Sequence, residues 1–472
     1  MGFGPWETFC PRHSSLATRH FLFGRHATMS PLLQFLQAWW LELVCGVVIV
    51  AVVPLIAGYV VLVERKLMAD MQARLGPMRV GPHGLLQPIA DAVKLLIKED
   101  IIPRDADALI FWFAPVISMV AALTSMGALY FGPDFRVARD INVGILFVIG
   151  VSSLGFLGII LGGWASNSHY SIIGAIRSTA QLVSYETAGG LAIVSALLLS
   201  GTLKISAIVG AQSANHVWFI FLAPIGFFTY LVASIAETNR APFDLPEAES
   251  ELVAGYMTEY SGFRWALYFL GEYANMIVVA SVATTLFLGG WLRPFPNVHW
   301  LNWLDFVPAL LIAAVGVYCV YRAGKQPAKV QVGFMWAVAL CCLAVALVYL
   351  LPWIFSPLRF AVPGLNGAFW FLLKVAGYIY IFMWLRFTLP RYRFDQLMHL
   401  GWYILIPLAI VNVFSVGMAM LLESEFGVNR WLALILTTIF TLAVSVYLVY
   451  LHDRRAVAAS AASGVATDSY AG

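Results

Sequence analysis

One segment of the chain concentrates acidic side chains between two apolar stretches. Residues 237–262 read ETNRAPFDLPEAESELVAGYMTEYSG and contain one base, Arg240. The carboxylates of this segment are Glu237, Asp244, Glu247, Glu249, Glu251 and Glu259. Pro242 and Pro246 prevent its first half from continuing as a regular helix, because proline removes a backbone donor. Holding apolar helices together does not require so many acids, so we expect the segment to have a function.

Three charged residues lie inside apolar runs: Glu186, Glu272 and Lys374. A charge at the centre of a membrane span costs about 2.5–3.5 kcal/mol, so such residues face the protein interior and often mark pathways. For Lys374 alone, a structural tie between helices is as good an interpretation as a functional one. Two buried carboxylates next to an acidic segment, however, favour a path for protons or ions.

Residues that would hold a metal, a cluster or a nucleotide do not form recognisable motifs. The five cysteines have no C-x-x-C spacing and no paired histidines, which argues against a zinc or iron–sulfur site in this chain. Neither G-x-G-x-x-G nor G-x-x-x-x-G-K occurs, so a nucleotide site is not predicted. The net charge of +3 gives no indication of a nucleic-acid partner.

The composition of the chain predicts which kind of helices carries these residues. The chain is 61% hydrophobic and 11% charged, whereas soluble domains are about 25% charged. We therefore predict an all-α polytopic membrane helix bundle of about eleven transmembrane helices. Hydropathy places the spans at 41–63, 109–131, 141–164, 180–200, 217–236, 265–290, 304–321, 332–351, 366–387, 402–421 and 432–451.

The distribution of basic residues predicts the orientation of the bundle. With the N-terminus outside, the inner segments hold 18 Lys and Arg residues and the outer segments hold 9. Because cytoplasmic loops are enriched in Lys and Arg, this ratio predicts an outside N-terminus and a cytoplasmic C-terminus. The acidic segment and the long loop after the first span would then both face the cytoplasm.

The loop after the first span is predicted to contain an interfacial helix. Gly76-Pro77 and Gly81-Pro82 mark turns. After them, apolar residues recur at helical spacing over about fourteen residues, with Gln87, Asp91 and Lys94 between them. This stretch is too short and too charged to cross a bilayer, so we expect it to lie in the interface.

The two ends of the chain differ from the membrane domain. Residues 1–28 are basic, contain no apolar core of the kind a signal peptide needs, and precede Met29. We predict that this extension is dispensable. The polytopic domain is assigned to residues 29–452, and residues 453–472 are predicted to form a flexible tail.

Four motifs in this order resemble one family. They are ERKLMADMQARLGPMRVGPHGLLQPIADAVKLLIKED, AIRSTAQLVSYETAGG, the acidic segment and WLRFTLPRYRFDQLMHLGW. The chain is similar to the quinone-chamber membrane subunit of proton-pumping NADH:quinone oxidoreductase, called the H subunit in bacteria and subunit 1 in mitochondria. The similarity covers residues 35–291 and 366–422.

The resemblance implies a translocase subunit without its own redox centre. Quinone would be the substrate, and FMN and iron–sulfur clusters would belong to partner subunits. Hydrophilic iron–sulfur subunits, antiporter-like subunits, small membrane-arm subunits and the lipid bilayer are the implied partners. A bacterial inner membrane is the simplest location. The interfacial helix with the first and sixth spans would frame the quinone entrance.

By resemblance, two sets of polar residues are assigned. The implied quinone-chamber residues are Glu64, Arg65, Arg74, Asp91, Arg177, Arg240 and Asp244. The implied proton-path residues are Glu186, Glu237, Glu247, Glu249, Glu251, Glu259 and Glu272. No residue is expected to be catalytic in this chain alone, and no metal ligand is assigned.

The sequence departs from the family pattern in three places. Met78 occupies a position that is often Asn in the turn before the interfacial helix. The N-terminal extension is additional. The largest departure is an insertion at about 292–363, which is predicted to add two spans and so to preserve the orientation of the motif that follows.

Two other functions remain open at this point. A membrane subunit of an energy-converting hydrogenase shares the E-x-x-R-x-P-x-D core but typically lacks GYMTEYSG and PRYRFDQLM. A secondary ion transporter would have interrupted helices in two related halves, and no internal repeat is evident. Co-purification with iron–sulfur and antiporter-like subunits would distinguish these classes.

Overall fold

The computed structural model describes residues 31–132, 140–244, 254–296, 298–324, 329–354 and 362–462. The chain divides into two compact units, residues 1–47 and 48–472. The described part of the first unit is the beginning of one long helix. The second unit contains the remaining helices and both cavities described below.

Sixteen α-helices follow one another through the described residues. They are α1 Pro31–Met71, α2 Gln87–Ile97, α3 Ala108–Gly127, α4 Gly144–Ser152, α5 Gly155–Ala165, α6 His169–Ser200, α7 Ile205–Ala214, α8 Phe219–Leu222, α9 Pro224–Glu237, α10 Gly262–Phe287, α11 Val307–Ala323, α12 Lys329–Ile354, α13 Val362–Thr388, α14 Phe394–His399, α15 Ile406–Phe426 and α16 Arg430–Ala462. Leu400–Leu405 forms a π-helical turn between α14 and α15.

Nine helical segments within the described residues are long and apolar enough to cross a membrane. This confirms the predicted all-α polytopic class. One of the eleven predicted spans, 217–236, corresponds instead to the shorter apolar helix Pro224–Glu237. The predicted span 432–451 lies within α16, in which Leu432–Tyr447 is the apolar part among the described residues. Pro224 explains the difference at 217–236, because a proline is tolerated in the first turn of a helix but not in its interior.

Helix α6 begins at His169, so residues 169–179 are helical rather than part of the predicted loop at 165–179. Polar residues such as Ser171, Ser178 and Gln181 lower the hydropathy of this part. They are nevertheless buried and bond to other parts of the protein. Ser171 Oγ, for example, donates to the carbonyl of Tyr256 at 3.1 Å. A hydropathy profile misplaces the ends of such helices, because it cannot show whether a polar side chain contacts protein or water.

The core of the second unit surrounds α10. Every residue from Met276 to Phe287 is buried, and α10 contacts α2, α3, α6, α7, α9 and α13. A helix that is apolar on all sides is expected at the centre of a bundle. The residues that α10 carries near its beginning are therefore presented to several helices at once.

The stretch predicted as an insertion contains a helical hairpin. Helices α11 and α12 pack mainly on each other and also contact α13. They approach closely at Gly316, where a Cβ atom would lie 3.3 Å from the carbonyl oxygen of Ala339. Small residues allow such close backbone contact between membrane helices. The hairpin lies beside the bundle and contributes no lining residue to the cavities described here.

Candidate functional site

An apolar cavity of about 200 Å³ lies between α1, α2 and α10. Its apolar lining includes Leu62 on α1, Leu95 on α2, and Trp265, Ala266 and Phe269 on α10. Helix α2 has its predicted amphipathic character, but none of its residues is buried. The apolar side of α2 thus forms one wall of the cavity rather than part of the core.

The polar rim of the apolar cavity is an ion pair between two predicted chamber residues. Arg65 Nη1 on α1 lies 2.7 Å from Asp91 Oδ2 on α2. Gln87 Nε2 donates to Asp91 Oδ1 at 3.1 Å, and Lys94 Nζ lies 3.5 Å from that oxygen. Partial burial opposes ionisation of Asp91, but these hydrogen bonds and positive charges outweigh it and lower its pKa.

A second cavity, the acidic cavity, has a volume of about 70 Å³ and brings together three predicted proton-path residues. Glu186 comes from α6, Glu237 from the end of α9 and Glu272 from α10. Ser153 donates a hydrogen bond to Glu186, and Tyr256 Oη donates to Glu272 at 2.9 Å. A smaller void of about 30 Å³ continues from Glu186 and Glu237 between α4, α6, α9 and α10.

A polar network joins the region beside the apolar cavity to the acidic cavity. Glu64 is buried and pairs with Arg386 of α13. Tyr273 Oη donates to Glu64 at 2.7 Å and accepts from Arg240 Nη1 at 3.3 Å. The Arg240 guanidinium also lies 4.1 Å from the centre of the Tyr273 ring.

Arg240 completes this network at the acidic cavity. Its Nη2 atom lies 3.6 Å from Glu272 Oε2, and both side chains are largely buried. On the other side, the ring of Phe269, which lines the apolar cavity, lies 4.9 Å from that of Tyr273. The residues from Glu64 to Glu272 therefore form one continuous set of polar contacts, named here the Glu64–Glu272 network.

Comparison with known proteins gives this geometry a context. The family model described as NADH dehydrogenase matches residues 44–417. The second of two H subunits of NADH-quinone oxidoreductase from Solibacter usitatus is 52% identical over 78% of this chain and 93% of its own length. The first H subunit from Koribacter versatilis is 51% identical over 74% and 84%, and the H subunit from Rickettsia felis is 43% identical over 78% and 91%.

The chain belongs to the H-subunit family of NADH-quinone oxidoreductases. The family membership predicted from four motifs is confirmed, and the matched region spans both cavities and the Glu64–Glu272 network.

The acidic segment of this family member is held on α6. Gln181 Nε2 donates to the carbonyls of Ala236 and Phe243 at 2.8 and 2.9 Å. Arg391, in the motif after α13, donates to the carbonyl of Asp244. Asp244 and Glu259, on either side of residues 245–253, are half-buried. Glu247, Glu249 and Glu251 lie outside the described residues.

Two predicted chamber residues lie apart from the Glu64–Glu272 network. Arg74 is exposed and donates to Gln72 Oε1 at 2.7 Å and to Met68 Sδ at 3.6 Å. The Arg177 guanidinium lies 5.4 Å from the centre of the Phe394 ring. The structure thus connects Arg177 to the beginning of α14.

Lys374 contacts backbone carbonyls just beyond the end of α10. Its ammonium donates to the carbonyls of Leu288, Gly290 and Leu292, at 2.6 and 2.9 Å for the first two. It also lies 4.2 Å from the centre of the Trp218 ring. These carbonyls follow the last turn of α10, where a positive charge is favourable. Lys374 therefore ties α13 to the end of α10.

Sequence reasoning missed several members of the network. Tyr256 belongs to the acidic segment and Tyr273 directly follows Glu272, but nothing in their spacing singles them out among the 19 tyrosines. Arg386 was counted only as a basic loop residue, although it pairs with Glu64. The described residues contain no group of three His, Cys, Asp or Glu side chains suited to a metal ion.

Proposed function

We propose that the chain is the quinone-chamber subunit of a proton-translocating NADH:quinone oxidoreductase complex in a bacterial inner membrane. The proposal rests on family membership and on one structural observation: the Glu64–Glu272 network runs from beside an apolar cavity, where Tyr273 contacts Phe269, to an acidic cavity. The apolar cavity has the lining expected of a passage for a hydrophobic quinone. The acidic cavity offers carboxylates that can bind and release protons.

In this proposal, the chain's own residues guide the substrate and move protons. Quinone reduction consumes two electrons and two protons, and the electrons come from iron–sulfur subunits of the complex. The apolar walls exclude water from the substrate, and the Arg65–Asp91 pair and Arg240 supply polar contacts for its head group. In the proposal, charge changes at the head group act on Arg240, which contacts both Tyr273 and Glu272.

The proton path continues from the network into the membrane domain. Glu272, Glu237 and Glu186 line one cavity, and the smaller void extends it along α6 and α9. Antiporter-like and small membrane-arm subunits would receive the signal there. The acidic segment, including Glu247, Glu249, Glu251 and Glu259, would face the hydrophilic subunits from the cytoplasmic side, with the N-terminus outside and the C-terminus inside.

The passage is tested by filling the apolar cavity. Ala266 is buried in its wall, so Ala266→Trp would place an indole in the space. We expect roughly tenfold slower quinone reduction in the assembled complex, with unchanged NADH oxidation by a water-soluble acceptor. The matched control is Leu310→Trp, because Leu310 is 64% exposed on α11. Normal quinone reduction by the Ala266→Trp complex would refute the passage.

A further inference from the structure

An ion pair between exposed Asp100 and buried Arg264 joins the segment after α2 to the beginning of α10. Arg264 is 8% exposed, and its Nη2 atom lies 2.9 Å from Asp100 Oδ2. Lys98, Glu99 and Asp100 in sequence are typical of an ordinary solvated loop. A paired arginine in this position instead restrains the segment that leads out of α2.

Hydrogen bonds from Ser261 hold the same two segments together. Ser261 Oγ accepts from the backbone N–H of Ile101 at 2.9 Å and donates to the carbonyl of Glu99 at 3.3 Å. Gly262 has a φ of +56°, and a Cβ atom there would lie 3.1 Å from the carbonyl of Lys98. We name the Asp100–Arg264 pair together with Ser261 the α2–α10 latch.

The latch lies at the end of the two walls that enclose the apolar cavity. Leu95 and Leu96, in the last turn of α2, line one wall, and Phe263, Trp265 and Ala266, in the first turn of α10, line the other. Asp100 follows Leu96 by four residues. Ser261 precedes Phe263 by two residues, and Arg264 lies between Phe263 and Trp265 in sequence. Since no residue of α2 is buried, contacts at its end contribute to its distance from α10.

Aromatic packing fixes the position of Arg264 from its other side. The guanidinium lies 5.4 Å from the centre of the Phe111 ring, and that ring stacks on Tyr260 at 4.1 Å with an interplanar angle of 5°. The Tyr260 ring in turn meets Tyr268 edge to face. An arginine held on a packed aromatic group is a fixed point rather than a mobile surface charge.

We propose that the Asp100–Arg264 pair is a positioning device that sets the separation of α2 and α10, and thereby the width of the opening for a long-tailed quinone. This inference rests on the proposed function, because it assigns the apolar cavity to quinone. Asp100 and Arg264 are positioning residues, since they act through the cavity walls.

The test compares two quinones in the intact complex. Asp100→Asn and Arg264→Asp break the attraction, and the exchanged pair Asp100→Arg with Arg264→Asp restores it with the charges reversed. We expect each single variant to raise KM for a quinone with a long isoprenoid tail by roughly fivefold. The kcat value and the KM for a short-tailed quinone should stay unchanged. In the exchanged pair, the KM for the long-tailed quinone should return most of the way to the wild-type value.

Controls separate this device from general destabilisation. Asp105→Asn removes an exposed acid from the same loop and should leave both KM values unchanged. If Arg264→Asp fails to assemble, Asp100→Asn alone tests the loss of the attraction, and Arg264→Lys, which keeps the charge, should leave both KM values close to wild type. Three results would each overturn the proposal: an equal rise in KM for both quinones, an unchanged KM in the single variants, or a KM in the exchanged pair that stays as high as in the single variants. If Ala266→Trp also reduces quinone normally, the proposed passage itself is wrong and the latch proposal falls with it.

Discussion

Glu186, Glu237 and Glu272 come from three helices and line one small cavity. Glu272 receives a hydrogen bond from Tyr256 and lies next to Arg240, whereas Glu186 receives one from Ser153. Glu186 and Glu272 therefore each have a neutral hydroxyl partner that glutamine can also engage. This makes glutamine the informative substitution, because it preserves shape and hydrogen bonding but cannot carry a proton.

We expect Glu186→Gln and Glu272→Gln to assemble normally and to lose quinone-linked proton pumping. The measurement is proton uptake and release by proteoliposomes during NADH oxidation. Glu425→Gln is the matched control, because Glu425 is exposed at the end of α15 and should pump at the wild-type ratio. Wild-type pumping by both variants would make these carboxylates structural and the proposed path wrong.

A different outcome is expected for Lys374. Lys374→Met keeps most of the side-chain length but leaves one buried and two part-buried carbonyls without this donor. Each unsatisfied acceptor costs about 1–3 kcal/mol, so the purified complex should show a clearly lower thermal transition. Lys374→Arg should retain much of the stability, because it can still donate to these oxygens. An unchanged transition for Lys374→Met would contradict the assigned role in capping α10.

Helix α2 carries Asp91, and the pH response of the Arg65–Asp91 ion pair follows from this residue. The pKa of Asp91 is lowered on folding, so its stabilising contribution is present above the ordinary value near 3.8 and is lost as pH falls through the lowered value. Between about pH 6 and 8 the Arg65–Asp91 pair should therefore stay intact.

This gives a prediction for Asp91→Asn in the assembled complex. The variant should raise KM for quinone several-fold, because the rim of the apolar cavity loses its ion pair. The shape of its pH profile between about pH 6 and 8 should match that of the wild type, since Asp91 does not titrate there. If the wild-type profile has an inflection near neutral pH and the Asp91→Asn profile lacks it, the lowered pKa of Asp91 is contradicted.

Elements were predicted better than the contacts between them. Hydropathy located most spans because runs of about twenty apolar residues have few other uses. It misplaced the beginning of α6, where Ser178 and Gln181 are polar but buried. The ion pair between Glu64 and Arg386 joins residues 322 positions apart. Without coordinates, no local pattern distinguishes Arg386 or Asp100 from ordinary basic and acidic loop residues.

At the scale of the whole molecule, the α11–α12 hairpin is an addition beside the bundle. Its residues pack chiefly on each other and line neither cavity. Asp305 lies just before α11, and its Oδ2 atom is 3.2 Å from Arg293 Nη1. Asn366 Nδ2, at the start of α13, donates to the backbone carbonyl of Asp305 at 3.3 Å. These contacts bring the two ends of the hairpin close together.

We therefore expect that residues 296–363 can be replaced by a short Gly-Ser linker without loss of quinone reduction. Turnover of the assembled complex should remain within about twofold of wild type, because neither cavity wall is removed. A linker variant that keeps the hairpin but carries the same Gly-Ser sequence at 325–328 is the control. Loss of turnover in an otherwise assembled complex would assign the hairpin a role in the reaction.

The pairing of Glu64 with Arg386 also has a consequence for biosynthesis. Glu64 leaves the ribosome 322 residues before its partner, which corresponds to roughly 15–60 s at ordinary translation rates. During that interval α1 is already made, but the guanidinium that compensates its carboxylate does not yet exist. The end of α1 must therefore stay at the aqueous boundary until α13 has been inserted and the Glu64–Arg386 pair can form.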